Sequence, residues 1–405
     1  MKQLFLAVLC FVITLSSKAQ IKIDNHSFYF KGFSLKINDY LTTPNGNKLF
    51  IGDVRVEQQH AKDRDARLDS IYRFEEYVID SAAKGILIIT DQHYKILKIQ
   101  GTHSSFEHIV YDESNKCFWI GGDSGFYHKN NHYQITLTKL DMKMTISGQT
   151  AIETDHTTYF KDMIIKDKNL IVLGMNMEGE IGNKRYIPTL YEISTKDFHD
   201  SKNYYYTQKV PNVLFQTSVD YPKEYQFINT PLFIRDQKVC FAINNCIDKE
   251  YGIHFFQYDK GKAEEIDSLN NISSDHAPYL ISFSNAAEGN YIYTYVEYFT
   301  KKGYFVKADK AFNPRLQKEF KCSQYPDFNK GIELPNKQYL LLTVNKNKNW
   351  SYTLFSPNGD WISETATTIS EKYYPSLLML GSNNQVICSF YQYKDLVTVV
   401  EVFRF

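Results

Sequence analysis

Within "CFWIGGDSGFYHK", residues Gly122-Asp123-Ser124-Gly125 form the tetrapeptide that surrounds the nucleophile in one class of serine proteases. Acyl transfer by serine needs a base within hydrogen-bond reach, a third group to orient that base, and backbone donors for the oxyanion. Here Phe126-Tyr127 follow where that motif continues with Gly-Pro, and no segment resembles the small-residue His-Cys stretch that carries the base. The glycines suit positive backbone angles instead, so the stretch reads as a turn between two strands.

Carboxylates and imidazoles offer a second chemistry. Glycosidic hydrolysis needs an acid and a second carboxylate at a fixed separation. Asp53, Asp123, Asp275 and His276 are the residues that would carry it. Asp275-His276, in "SSDHAPY", precedes the strand candidate "YLISFS"; Asp91 and His93 make a similar pair in "DQH". Asp63, Asp65 and Asp69 suggest a calcium loop but lack its glycine and closing glutamate. His128 and His132 have a zinc-helix spacing, but they flank the turn "KNN" and lack the accompanying glutamate. No metal or other cofactor is expected, and no phosphate loop is present in the sequence.

Tyr204, Tyr205 and Tyr206 could stack on sugar rings or anchor a partner, although an alternating strand would bury at least one of them. Cys240 and Cys246, on either side of "FAINN", could close a small disulfide loop; a buried free thiol on a strand is the alternative. Ser70, Ser81 and Ser268 each follow an aspartate and precede an apolar residue. That pattern is similar to the O-glycosylation acceptor of exported proteins in some Gram-negative bacteria.

The elements that must position these groups are strands. Of the 405 residues, 15% are aromatic, with 31 Tyr and 28 Phe. Short β-branched and aromatic runs such as "GILIITD", "KVCFAINN" and "QVICSFYQY" are bounded by Asn, Asp, Gly and Lys. Several segments repeat one order of apolar strand, turn and return strand, with closing turns near Asp91, Asn130, Lys196, Lys260, Lys310 and Asn358. A period of about 45–50 residues is that of four-stranded propeller blades. Seven blades are expected, with six or eight as alternatives. The final segment holds three strands and "QIKIDNHSFYF" near the start offers a fourth, which would close the ring. Residues 201–226 interrupt the rhythm as an insertion, where function tends to sit.

One blade carries a resemblance. "IVYDESNKCFWIGGDSGFYHKNNHYQI" resembles the repeat of bacterial two-component-regulator-type propellers, with Trp119, Ile120, Gly121, Ser124 and Gly125 on its "lWiGT-x-GL" pattern. The resemblance implies the fold and no activity.

Residues 1–19 read as an export signal: Lys2, an apolar run over 4–15, and Ser17-Lys18-Ala19 at a cleavage site, leaving 20–405 as the propeller. Without Lys2 and Lys18, Lys+Arg falls from 46 to 44 against 46 Asp+Glu, so no basic excess draws the chain to nucleic acid. No later run is long enough to span a membrane. The expected product is a periplasmic or extracellular, non-catalytic propeller that binds a protein, peptide or glycan. A polysaccharide-active hydrolase or lyase is the alternative.

Overall fold

The computed structural model describes residues 23–29, 33–56, 72–74, 77–79, 84–124, 133–178, 185–196, 206–209, 213–216, 231–247, 250–259, 262–271, 278–286, 289–297, 300, 302–321, 330–392 and 397–404. Strand β1 (Ile23–Tyr29) comes first. Blade 1 contains β2 (Phe33–Thr42) and β3 (Lys48–Val56); a small hairpin of β4 (Tyr72–Phe74) and β5 (Tyr77–Ile79) precedes its β6 (Gly85–Thr90) and β7 (Ile96–Thr102). Blade 2 follows with β8 (His108–Asp112), β9 (Cys117–Asp123), β10 (Ile135–Leu140) and β11 (Ile146–Glu153). In blade 3, β12 (Thr157–Lys166), β13 (Asn169–Glu178) and β14 (Arg185–Ser194) come before β15 (Tyr206–Lys209), which leaves the blade, and β16 (Val213–Gln216), which completes it.

Blade 4 is β17 (Leu232–Arg235), β18 (Lys238–Ile247), β19 (Glu250–Asp259) and β20 (Lys262–Asn271). Blade 5 is β21 (Pro278–Asn285), β22 (Tyr291–Glu297), β23 (Lys302–Ala308) and β24 (Pro314–Lys321). Blade 6 is β25 (Lys330–Glu333), β26 (Tyr339–Val344), β27 (Asn349–Phe355) and β28 (Trp361–Ser370). Blade 7 has β29 (Tyr374–Leu380), β30 (Gln385–Gln392) and β31 (Val397–Arg404), and takes β1 as its fourth strand, with Ile23 opposite Phe403 and Tyr29 opposite Val397. This is a seven-bladed β-propeller, closed by its own N-terminal strand as expected.

Its core consists of layers between blades. Among the described residues, buried side chains gather in seven clusters; six join two neighbouring blades, and one runs through blades 3, 4 and 5. Central strands are therefore covered on both faces and carry continuous buried runs, as in β9 and β30, whereas in the outer β28 buried and exposed residues alternate. The blades close around the axis: β29 touches β2, β2 touches β8, β8 touches β12 and β12 touches β17, while β21 meets blade 4 through β18 and β19, and β25 links β21 to β29.

Two expectations need correction. Gly121 and Gly122 lie inside β9, not at left-handed turn positions. A Cβ at Gly121 would collide with the Phe160 ring of blade 3, and one at Gly122 with the Ser105 carbonyl. Close approach of neighbouring backbone and side chain is what demands glycine there. The Cys240–Cys246 disulfide does not form: Cys240 is a buried free thiol. Both residues sit on β18, six positions apart. That separation is about 20 Å along a strand, against the roughly 7 Å that a disulfide tolerates between Cα atoms.

Candidate functional site

Among the described residues, four of the inner strands break register. The ladder shifts at Ile37/Asp39 in β2, Phe160/Asp162 in β12, Leu280/Ser282 in β21 and Pro375/Leu377 in β29. A bulge adds one residue and re-aims the side chains beside it. The residues after three of these bulges turn to the next blade. Asp39 accepts the Ile109 N–H at 2.9 Å, Asp162 accepts the Leu232 N–H at 2.6 Å, and Ser282 Oγ lies 3.4 Å from the Gly331 nitrogen.

A second set of acceptors lies one strand outward. Asp53 on β3 accepts Phe106 N–H at 3.3 Å and the Asn38 amide at 2.8 Å. Asp123 on β9 accepts Phe160 N–H at 2.6 Å. Asn244 on β18 accepts Leu280 N–H at 2.7 Å. Since a neutral amide performs this task between blades 4 and 5, the position requires an acceptor and not a charge. Asp53 and Asp123 are thus tied into the ring as interblade clamps.

They also frame an ionisable cluster. Burial first, and then the charge of Asp53, pushes the Glu107 carboxyl up to about 7; it also hydrogen-bonds to Asp123. Asp123 is raised by burial and by the charge of Glu107, which lies beside it. Lys161, the bulged residue of β12, is lowered by burial, while Glu107 and Asp123 act in the opposite direction. His108 stands between carboxylates of two blades, with Nδ1 2.6 Å from Asp39 and Nε2 3.4 Å from Asp162. Burial opposes its charge, but Asp39 and Asp162 outweigh that and lift the imidazole to about 9. On the far side of the axis, burial and the charge of Lys36 bring Lys330 down to about 8, and its ammonium donates to Ser376 O at 3.0 Å.

Glu107, His108, Lys161 and Asp162 line a cavity of about 330 Å³ whose other wall includes Phe233, Phe283, Ser284 and Asn285 from blades 4 and 5. A larger cavity of about 570 Å³ opens at the rim between blades 5 and 6, where the interblade cluster has only four buried residues. Among the described residues, the charged groups that line it are Lys346 and Glu364. Chemistry therefore favours the smaller, axial cavity.

Of the residues singled out from sequence, Asp53 and Asp123 come together here on either side of Glu107. Asp275, His276, Tyr204, Tyr205, Ser70 and Ser81 lie outside the described residues, as do the Asp63–Asp69 and His128–His132 groups. Tyr206 opens β15, which pairs in parallel with β11 as a fifth strand on the outer edge of blade 2. The described parts of the insertion thus lie in the sheets and away from the axial cavity. Ser268 is half-buried on β20 opposite His254. Ser124 is buried, and its hydroxyl accepts the Gln134 N–H at 3.0 Å across the root of the β9–β10 hairpin. Sequence reasoning passed over Glu107 and His108, although "FEHIVYD" sets a carboxylate beside an imidazole in the same way as "SSDHAPY".

No protein-family description and no curated protein matches the chain. Solved structures do. A catalytically inactive virginiamycin B lyase from Staphylococcus aureus, with quinupristin, aligns over 95% of this chain and 100% of its own at a TM-score of 0.53 and 8% identity. A puromycin hydrolase mutant complexed with PGG aligns over 92% of this chain and 52% of its own at 0.52 and 8%. What they share with this chain is the propeller. At this identity the likeness is one of fold, and the two-component-regulator-type repeat finds no family-level support.

Proposed function

We propose that this chain is an exported, non-catalytic propeller of the cell envelope that binds a protein or glycan ligand at its axial cavity. The convergence of Glu107, His108, Lys161 and Asp162 from two blades on one cavity carries the reading. Catalysis is disfavoured because most of the acids nearby are already committed. Asp39, Asp53, Asp123 and Asp162 each accept a backbone N–H of the following blade. His108 is held as a cation, which suits anchoring better than proton abstraction. Export rests on the leader-like residues 1–19. Expression of the full precursor in a Gram-negative host, followed by fractionation and intact-mass analysis, tests it; a cytoplasmic product retaining Met1 would overturn it. Binding is tested on glycan and peptide arrays. Any true ligand is lost in Glu107→Gln and Lys161→Met and kept in Trp361→Ala, a change at the outer strand of blade 6.

One observation favours a second reading, a polysaccharide hydrolase or lyase. Glu107, near 7 beside Asp123, is a carboxyl displaced toward the range of a general acid. Two fold neighbours are named as a lyase and a hydrolase, but at 8% identity they contribute nothing on activity. Release of reducing ends or unsaturated uronates that disappears in Glu107→Gln would establish this reading; inactivity across a polysaccharide panel would remove it.

A further inference from the structure

The axial cavity has two unlike walls. On one side are a carboxyl, an ammonium and an imidazolium from Glu107, Lys161 and His108; on the other are Pro231, Leu232, Phe233 and Phe283. Phe283 is half-buried, and its ring leans on Phe233 with centroids 4.5 Å apart. Ser284 and Asn285 finish the lining. The Ser284 hydroxyl is buried without a hydrogen-bond partner, an unmet polar group in the cavity wall.

The charge in this wall is compensated. His108 lies between Asp39 and Asp162, and Lys161 lies in the field of Glu107 and Asp123. An anion would meet the carboxyls and a cation would meet Lys161 and His108, so no net field selects either. A wholly apolar ligand would take water from the Glu107 and Lys161 side chains and return no hydrogen bond for it, which is unfavourable. What remains is a ligand that both donates and accepts at many points and also presents an apolar face. A sugar hydroxyl is donor and acceptor at once. About 330 Å³ is at the small end of ligand pockets, which span about 300–1,000 Å³, and suits one or two rings.

We propose that the axial cavity takes a neutral pyranose, such as the end residue of a glycan, with its hydroxyls on Glu107, Lys161 and Asn285 and its C–H face on Phe283. This rests on the axial-binding reading above. The neutral form of Glu107 helps, because a protonated carboxyl donates and accepts just as a hydroxyl does.

Saturation-transfer NMR and titration calorimetry on the full chain test it. The probes are glucose, galactose, mannose and N-acetylglucosamine, with glucuronate, glucosamine and glycine as anionic, cationic and zwitterionic counterparts. At least one neutral sugar is expected to bind more tightly than all three charged probes. Phe283→Leu, which keeps apolar packing on Phe233 but removes the flat face, is expected to weaken it about tenfold. Ser284→Ala should weaken it less, and Trp361→Ala should leave it unchanged. Tighter binding of a charged probe, binding indifferent to Phe283→Leu, or no neutral sugar binding at millimolar concentration overturns the sugar assignment. If a charged probe binds and Lys161→Met abolishes that binding, the axial site stands and only the ligand class falls. If a sugar binds regardless of both Phe283→Leu and Lys161→Met, the axial site falls as well.

Discussion

Tyr352 donates its hydroxyl to Glu401 at 2.5 Å, across the boundary between blade 6 and the closing blade 7. Glu401 is fully buried on β31, its other carboxyl oxygen has no hydrogen-bond partner, and Cys388 lies directly opposite on β30. Burial raises the acid to about 7, against about 4.3 for an unfolded glutamate. The folded state therefore holds the proton more tightly than the unfolded state. Stability contributed by the protonated acid is full below about pH 4 and is lost as the pH rises to about 7, on the order of 3 kcal/mol in all. Thermal melts of wild type and Glu401→Gln from pH 5 to 8 should show this slope flattened in the variant, with the variant the more stable at pH 8. Parallel curves would mean that Glu401 is not the titrating group.

His108 should give a pH dependence in another window. Its imidazole is raised from about 6.5 to about 9 by the two carboxylates, so its contribution is complete below about pH 6.5 and disappears as the pH passes 9. The side chain is one-third exposed to the channel, which lowers the expected loss to about 1–2 kcal/mol. Urea unfolding at pH 6 and pH 10 should separate wild type from His108→Gln at the lower pH and bring the two together at the higher.

Asp123 offers a test of acceptor against charge. Asp123→Asn keeps an oxygen for the Phe160 N–H and should cost under about 1 kcal/mol, while Asp123→Ala leaves that N–H unsatisfied and should cost about 1–3 kcal/mol. The asparagine variant also removes the titrating partner of Glu107, so the coupled titration of the pair should reduce to the movement of Glu107 alone. Carboxyl carbon shifts read by NMR against pH report that movement directly.

Gly121→Ala forces a methyl group onto the Phe160 ring. Overpacking of a close-packed core typically costs about 1–3 kcal/mol. The double variant with Phe160→Leu should recover part of the loss, a coupling that denaturant melts of both single variants and the double would expose.

Without residues 1–32, β31 would present an open edge in place of its pairing with β1. Such a chain should melt earlier and associate on size-exclusion chromatography with light scattering. A peptide of residues 21–31 added in trans should restore the monomer, and a monomeric truncated chain with an unchanged melt would show that the latch is dispensable.

Most of the fold was legible in the sequence because its signals are local. Runs such as "GILIIT" and "QVICSFYQ" are strand-length, mostly apolar and buried almost throughout, since blade packs on blade and both faces are covered. Turn residues near Asp91, Lys310 and Asn358 mark true hairpins, and the missing fourth strand of the last blade pointed to the N-terminus. The pairing of β15 and β16 was not legible because it is non-local: β15 runs back to blade 2 while β16 completes blade 3. No local pattern encodes that choice.

The amino-acid order alone indicated the strand period and a ring, because strand and turn signals depend on neighbours a few residues apart, and the missing strand of the last blade pointed to the latch between Ile23–Tyr29 and Val397–Phe403. Only the tertiary structure decided which polar residues meet. Asp39 reaches the Ile109 N–H and Asp162 the Leu232 N–H, each across 70 residues, and His108 is charged only because both carboxylates arrive beside it. Position around a closed axis is a property of the whole ring, and the strength of a charge there depends on which groups the ring brings within a few ångströms.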